Sequence, residues 1–242
     1  MPRFPSIVRV LAAVTATALA SCIDSREEVW IDRGGGGRAH IRVEIPTAAT
    51  RLHGGETGVR KLIDSFLAES PDIRPTNVAV TTTGDRTVVD VAMEFESALK
   101  ASEAAGGDAI DHLPPAARHL TGEVETRLRG LTLDFDRVIS PGAAIPGVSW
   151  LPKSQLEGHR LEYIIHLPAA AKSSNATRTE NGGRTLVWDI PLEKAVKAPF
   201  HTSFEMELPI PWSKVSAVAI PLSLAGGWLL LRRARKPAAD EP

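Results

Sequence analysis

Three features of the sequence predict an α+β fold, with a mainly antiparallel curved sheet, a few packed helices and one C-terminal transmembrane helix. Segments in which apolar residues alternate with polar ones recur along the chain, and few stretches between them show helical spacing. The later strands follow one another without regular helical crossovers, which favours antiparallel over parallel pairing. Near the C-terminus, the run from Val215 to Leu231 carries no charged residue and is bracketed by Lys214 and Arg232.

The chain opens with Arg3 and Arg9, followed by an uncharged run from Val10 to Ala20. A basic start, a short apolar stretch and small residues at its end make a secretory signal peptide. The run is too short to span a bilayer, which takes roughly 17–25 residues. Two endings fit. Ala18-Leu19-Ala20 matches ordinary signal cleavage and would leave Cys22 a free thiol. Leu19-Ala20-Ser21-Cys22 resembles the bacterial lipobox, in which the cysteine is acylated and becomes the first mature residue. Lipidation of Cys22 is the favoured reading, because an exported chain with one odd thiol is exposed to unwanted oxidation. Cys22 is the single cysteine of the chain, so no intramolecular disulfide can form and the domain must hold by its core.

The mature chain begins "EEVWIDRGGGGRAHIRVEIP", where two alternating strands flank a glycine cluster and read as a β-hairpin. A dinucleotide fingerprint would need a helix after the glycines, and here a strand follows. In "GGETGVRKLIDSFLAESPD", Val59, Leu62, Ile63, Phe66 and Leu67 lie at helical spacing, and Pro71 ends the helix. The Gly-Lys-Ser/Thr ending of a P-loop is missing. A second hairpin turns at Gly84-Asp85, with Val89, Val91, Met93 and Phe95 on one face. A helical pattern follows from Glu96 to about Ala105, and "DAIDHLPPAARHL" reads as a break and a short helical turn. "EVETRLRGLTLDFDRVI" alternates again, placing Leu131, Leu133 and Phe135 on one face. "HRLEYIIHLP", "RTLVWDIPL" and "FHTSFEMELP" supply the last strands.

The loop "SPGAAIPGVSWLP" carries Ile145, Val148, Trp150 and Leu151 in a segment too rich in proline and glycine for a strand. Such residues either tuck under the sheet as a lid on the core or form an exposed apolar patch. Trp150 is expected at the rim of an apolar cavity formed by the sheet and the Val59–Leu67 helix, in contact with a bound lipid-like molecule.

At the far end, Trp212 and Trp228 flank the uncharged run, and Arg232, Arg233, Arg235 and Lys236 follow it. Aromatic rings at the interface and a basic cytoplasmic flank are what a membrane helix requires; a buried C-terminal helix of the globular domain is the other reading. The expected organisation is a signal peptide over residues 1–21 and an exported α+β domain over 22–212. A transmembrane helix over 213–232 and a short basic tail over 233–242 complete it.

Residues 23–213 contain 21 Lys and Arg against 27 Asp and Glu. That acidic balance argues against nucleic acid as a partner. The seven histidines form no His-Glu-x-x-His pair, and no Gly-x-Ser-x-Gly elbow occurs. No cofactor, metal ligand set or catalytic residue is therefore assigned. Asp134 and Asp136 fall on a solvent face. Asn175-Ala176-Thr177 matches the glycosylation sequon; a lipobox points to a bacterial chain, in which the match would be accidental.

The stretches "VWIDRGGGGRAHIRVEIP" and "IIHLPAAAKSSNATRTENGGRTLVWDIPL", set between the Cys22 lipobox and the C-terminal apolar run, resemble the LppM-type bacterial lipoprotein domain. The resemblance implies a membrane-tethered α+β domain with a curved antiparallel sheet, like lipid-binding folds, and no catalytic residues. The expected role is that of a membrane-anchored cell-envelope lipoprotein with its main domain outside the cytoplasm. That domain binds a membrane lipid, a lipid-like ligand or an envelope protein without catalysis; the alternative is a hydrolase acting at the membrane surface.

Overall fold

The structure is a computed structural model that describes residues 23–51, 53–106, 115–144, 148 and 151–208. Its strands are β1 (Asp24–Ile31), β2 (Gly37–Pro46), β3 (Ile73–Thr83), β4 (Arg86–Phe95), β5 (Glu123–Arg129) and β6 (Thr132–Ile139). They continue as β7 (Arg160–His166), β8 (Ala171–Ser174), β9 (Arg178–Glu180), β10 (Thr185–Pro191) and β11 (Phe200–Glu207). The helices are α1 (Thr47–Arg51), α2 (Gly55–Ala68), α3 (Ala98–Gly106), α4 (Pro115–Thr121), α5 (Pro141–Ala144), α6 (Lys153–Leu156) and α7 (Leu192–Ala195).

The strands form two sheets, not one. A seven-stranded sheet runs β3-β4-β2-β1-β7-β10-β9, and a four-stranded sheet runs β5-β6-β11-β8. One mainly antiparallel sheet was expected; there are two, and their pairings are antiparallel except for one parallel pair in the larger sheet, β1 with β7. The reason is long-range. The chain returns to the first hairpin only after the whole β5–β6 segment, and it enters β7 in the same direction as β1. Alternation within a strand cannot reveal that pairing. The expected C-terminal transmembrane helix finds no support either: no helix among the described residues is long and apolar enough to cross a membrane. Its segment, 213–232, lies outside the described residues.

Both expected hairpins form, β1–β2 and β3–β4, each antiparallel, the second with a register shift between Pro75 and Asn77. Gly37 is needed where β2 begins, because a Cβ there would lie 2.0 Å from the Trp30 carbonyl oxygen. "EVETRLRGLTLDFDRVI" holds a turn that the alternation concealed. Gly130, at φ 64, takes the left-handed conformation between β5 and β6, so Leu131 sits at the tip and is 53% exposed. Leu133 and Phe135 still face inward. The β8 and β9 pieces are further additions. They occupy the connection that the sequence presents as a loop.

The core lies between the sheets. Leu161 and Tyr163 of β7 and Leu186 and Trp188 of β10 meet Leu133 and Ile139 of β6 and Phe204 and Met206 of β11. Ile23, the residue after Cys22, belongs to the same cluster. Into this apolar layer each sheet also sends one charge. Arg137 of β6 donates to both carboxylate oxygens of Glu27 of β1, at 2.7 and 3.3 Å, and through Nε to the Thr121 carbonyl at 2.6 Å. Its guanidinium also lies 5.1 Å from the Tyr163 ring centroid. Burial works against the charged form of Arg137, but the Glu27 carboxylate outweighs it and the pKa is raised. Burial also pushes the Tyr163 hydroxyl up, with the Glu27 charge adding to it.

A second polar clasp joins the sheets. The Asn175 side-chain oxygen accepts from Trp188 Nε1 at 2.7 Å and from the Ser203 backbone at 2.8 Å. Its amide nitrogen donates to the His201 carbonyl at 3.1 Å.

Removing one member of a buried ion pair strands the other, at a cost of about 3–5 kcal/mol. Arg137→Ala is expected to destabilise the protein by that much, whereas Arg137→Met combined with Glu27→Leu should recover most of the loss. Asn175→Ala should cost about 1–3 kcal/mol, because it leaves a buried indole N–H unpaired. Denaturant midpoints of the full chain measure all three.

Candidate functional site

Alternation places the polar members of β1, β2, β7 and β10 on the outer face of the large sheet, and the strand register then aligns them in rows. One row reads Asp189, Glu162, Arg26, Arg42 and Asp90 across β10, β7, β1, β2 and β4. Directly opposed cross-strand residues have Cβ atoms about 4.5–5.5 Å apart, so opposite charges in such a row pair. Arg26 donates to Glu162 at 2.5 Å and to Glu28 at 3.1 Å. Arg160 grips Asp189 with two bonds of 2.6 and 2.5 Å. Arg42 donates to Glu44 at 3.2 Å and lies 3.6 Å from Asp90.

Further along the same face, the Trp30 ring stacks on His166 at 5.1 Å, and the Arg38 guanidinium lies 4.6 Å from the Trp30 centroid. His166 in turn meets Glu28 at 2.9 Å and Thr185 at 3.1 Å. Burial pushes the Glu28 carboxyl up, but the His166 and Arg26 hydrogen bonds and charges prevail and hold its pKa below the ordinary value. The Arg160 pKa is raised, chiefly by its hydrogen bonds to Asp189.

Where this face meets the start of β1, it sinks into a cleft of ≈ 490 Å³ lined by Asp24, Arg26, Arg42, Glu44, Arg160 and Glu162, with Asp189 at its side. A smaller hollow of ≈ 160 Å³ adjoins it, between Lys153, His159 and Glu193. Asp24 is fixed from three sides: by His159 Nδ1 at 2.7 Å, by the Arg160 backbone N–H at 3.0 Å, and by Arg86 at 3.5 Å. Charged side chains predominate among the residues that line both hollows. No group of three or more His, Cys, Asp or Glu among the described residues is placed to hold a metal ion.

The two residues singled out from sequence, Cys22 and Trp150, lie outside the described residues. Their neighbours are informative. Val148 is fully buried and Leu151 packs against the core, so the described members of that apolar loop tuck under the sheet. Ile23 is buried and Asp24 already pairs with Glu44, so no linker separates Cys22 from the folded domain. Arg26, Arg42, Arg160 and their carboxylates went unnoticed in the sequence. Their signal was present as the outward positions of alternating strands, but bringing them together takes the β1–β7 register.

No family model matches the chain, and no curated protein matches it. Among solved structures, it is similar to the NMR structure of the folded domain of Mycobacterium tuberculosis LppM. The identity is 13% and the TM-score 0.43, over 79% of this chain and 93% of that one. It is also similar to the crystal structure of an M1 zinc metallopeptidase from Deinococcus radiodurans, at 12% identity and a TM-score of 0.28, over 76% of this chain and 42% of that one. The first is a structural neighbour of the kind the sequence resembles; at these scores neither assigns a role.

Because the folded-state pKa of Glu28 is depressed, its contribution to stability is complete above the ordinary carboxylate value of 4.5 and is lost as pH falls below it. Glu28→Gln is therefore expected to cost about 1 kcal/mol near neutral pH. The gap from wild type should narrow as the pH falls below 4.5 and close once it has passed through the depressed folded-state pKa. Denaturation series at several pH values check the sign.

Proposed function

We propose that this protein is an exported, lipid-anchored cell-envelope protein whose domain acts as a binding module without catalysis. The observation that carries the reading is the junction at Cys22. A leader ending in Leu19-Ala20-Ser21-Cys22 is followed at once by Ile23, a core residue, and by Asp24, the first residue of a central strand. Processing before the cysteine keeps every described strand, and acylation there would hold the domain against the bilayer.

The charges on the outer face support binding over catalysis. Arginines and carboxylates are committed to one another in fixed pairs, and the shift at Glu28 is downward. A carboxylate so held stays ionised at neutral pH and is a poor proton donor. The ligand belongs to the envelope: a membrane lipid, a lipid-like molecule or an envelope protein.

Full-length protein produced in a bacterial host with a labelled fatty acid is expected to incorporate the label, and its mature N-terminus should be Cys22. Cys22→Ala should reduce incorporation to background. Equal labelling of both proteins, or a mature chain starting at Ser21, would overturn the anchor.

A further inference from the structure

Asp24 and Ser25, which line the ≈ 490 Å³ cleft, stand two and three residues beyond Cys22. A fully extended residue spans about 3.3–3.6 Å, so the cleft wall begins within about 10 Å of the acyl attachment point. The cleft of a domain tethered in this way opens at the level of the lipid headgroups. Its volume falls within the range of about 300–1,000 Å³ common for small-ligand sites.

The lining has a layered charge arrangement. The side chains of Arg26, Arg42 and Arg160 are 50, 47 and 55% exposed, while Glu44, Glu162 and Asp189 are 33, 24 and 20% exposed. The carboxylates thus lie deeper and orient guanidiniums whose outer edges face the opening. A guanidinium carries five N–H donors. Arg160 spends Nε and Nη2 on Asp189, and Arg26 spends Nη1 and Nη2 on Glu162 and Glu28. Arg42 turns Nη2 to Glu44 and Nη1 towards Asp90, so Nη1 of Arg160 and Nε of both Arg26 and Arg42 remain without a hydrogen-bond partner among the described residues.

A simple anion fits poorly, because four carboxylates (Asp24, Glu44, Glu162 and Asp189) share the wall with the three arginines. A quaternary ammonium fits poorly too: the lining has no aromatic ring to cage it, and such a cation has no N–H to donate. A phosphate joined through a short spacer to a primary ammonium satisfies both layers.

We propose that this cleft binds the headgroup of an aminophospholipid of the anchoring membrane. The phosphate sits on the spare donors of Arg26, Arg42 and Arg160, and the ammonium sits on Glu44 and Glu162. The site rests on the anchor proposed above for its access to lipid, and on its own lining for specificity.

The test uses full-length protein in non-ionic detergent, titrated with short-chain phosphatidylethanolamine, phosphatidylcholine and phosphatidylglycerol. Glycerophosphoethanolamine and inorganic phosphate serve as headgroup-only and anion-only probes. Phosphatidylethanolamine is expected to bind about tenfold more tightly than the other two lipids. Arg42→Gln and Arg160→Gln should each weaken it about fivefold or more, with the circular dichroism spectrum unchanged. Glu44→Gln should abolish the preference over phosphatidylcholine, a readout that general destabilisation would not produce. Glycerophosphoethanolamine should bind with the same order of preference.

Equal binding of the three lipids overturns the proposal. So does affinity unaffected by the arginine variants, or inorganic phosphate matching phosphatidylethanolamine. Cys22→Ala separates the two readings. Retained headgroup preference in a chain whose wild type takes no fatty acid sinks the anchor and leaves the cleft; a labelled chain without preference sinks the cleft alone.

Discussion

The two sheets of this protein are held in register by a charge pair placed where an apolar contact would have been simpler. Glu27 and Arg137 point into the layer that Leu161, Trp188 and Phe204 otherwise fill, and both are largely shielded, at 17 and 14% exposure. Desolvating two ions costs several kcal/mol each, and their attraction repays it only when geometry and extra hydrogen bonds are good. Here the guanidinium is satisfied on both edges, by the carboxylate and by the Thr121 carbonyl, and its face lies over Tyr163. An apolar pair would tolerate sliding of one sheet over the other. A two-pronged ionic contact does not, so β6 can dock on β1 at one position only. The parallel β1–β7 pairing then brings Tyr163 beside Glu27, and the outer rows of charge depend on that same pairing.

The sheet edges explain how a structure with so many strands avoids pairing with its neighbours. Open edges expose unpaired backbone groups and invite aggregation. At β3, helix α2 covers the edge: Arg60 donates to the Val78 carbonyl at 2.6 Å, and Glu56 accepts from the Thr82 backbone at 2.6 Å. Beside β5 lies α3, with Ser102 bonded to Thr126 at 3.0 Å. On the opposite side the chain passes from β8 in one sheet to β9 in the other through Asn175, whose side chain ties both together. That engagement also bears on the sequon at Asn175-Ala176-Thr177: a glycan on the amide nitrogen would break the bond to the His201 carbonyl.

The sequence revealed what is local and concealed what is not. Both early hairpins and the α2 helix were readable, because alternation, turn glycines and a five-residue apolar stripe are properties of neighbouring residues. The β5–β6 turn was hidden because Leu131 carries the alternation of Leu133 and Phe135 back to Gly130, although it is 53% exposed. The second sheet and the parallel pair were hidden because partner choice between distant strands leaves no periodic trace. The buried ion pair did leave one. Glu27 interrupts the inward series that Val29 and Ile31 continue, and Arg137 interrupts Leu133, Phe135 and Ile139. A single charge on an apolar face of two separate strands, with opposite signs, is a legible hint of a contact between them.

The same reasoning separates the inner face from the outer one. On the inner face one ion pair is isolated among apolar side chains, and it serves to specify packing. Outside, charges stand in a row across the strands, the arginines about half exposed and their carboxylates less so, where an individual pair contributes little to stability. A fold that needed only solubility would satisfy itself with scattered charges of either sign. Rows in register, with carboxylates beneath and guanidiniums above, instead present a patterned surface with fixed donor directions. That surface deepens into a cleft at the end of the sheet where Ile23 and Asp24 enter, immediately beyond Cys22. The core packing of Ile23 therefore fixes the start of β1, whose Asp24 and Ser25 form one wall of that cleft.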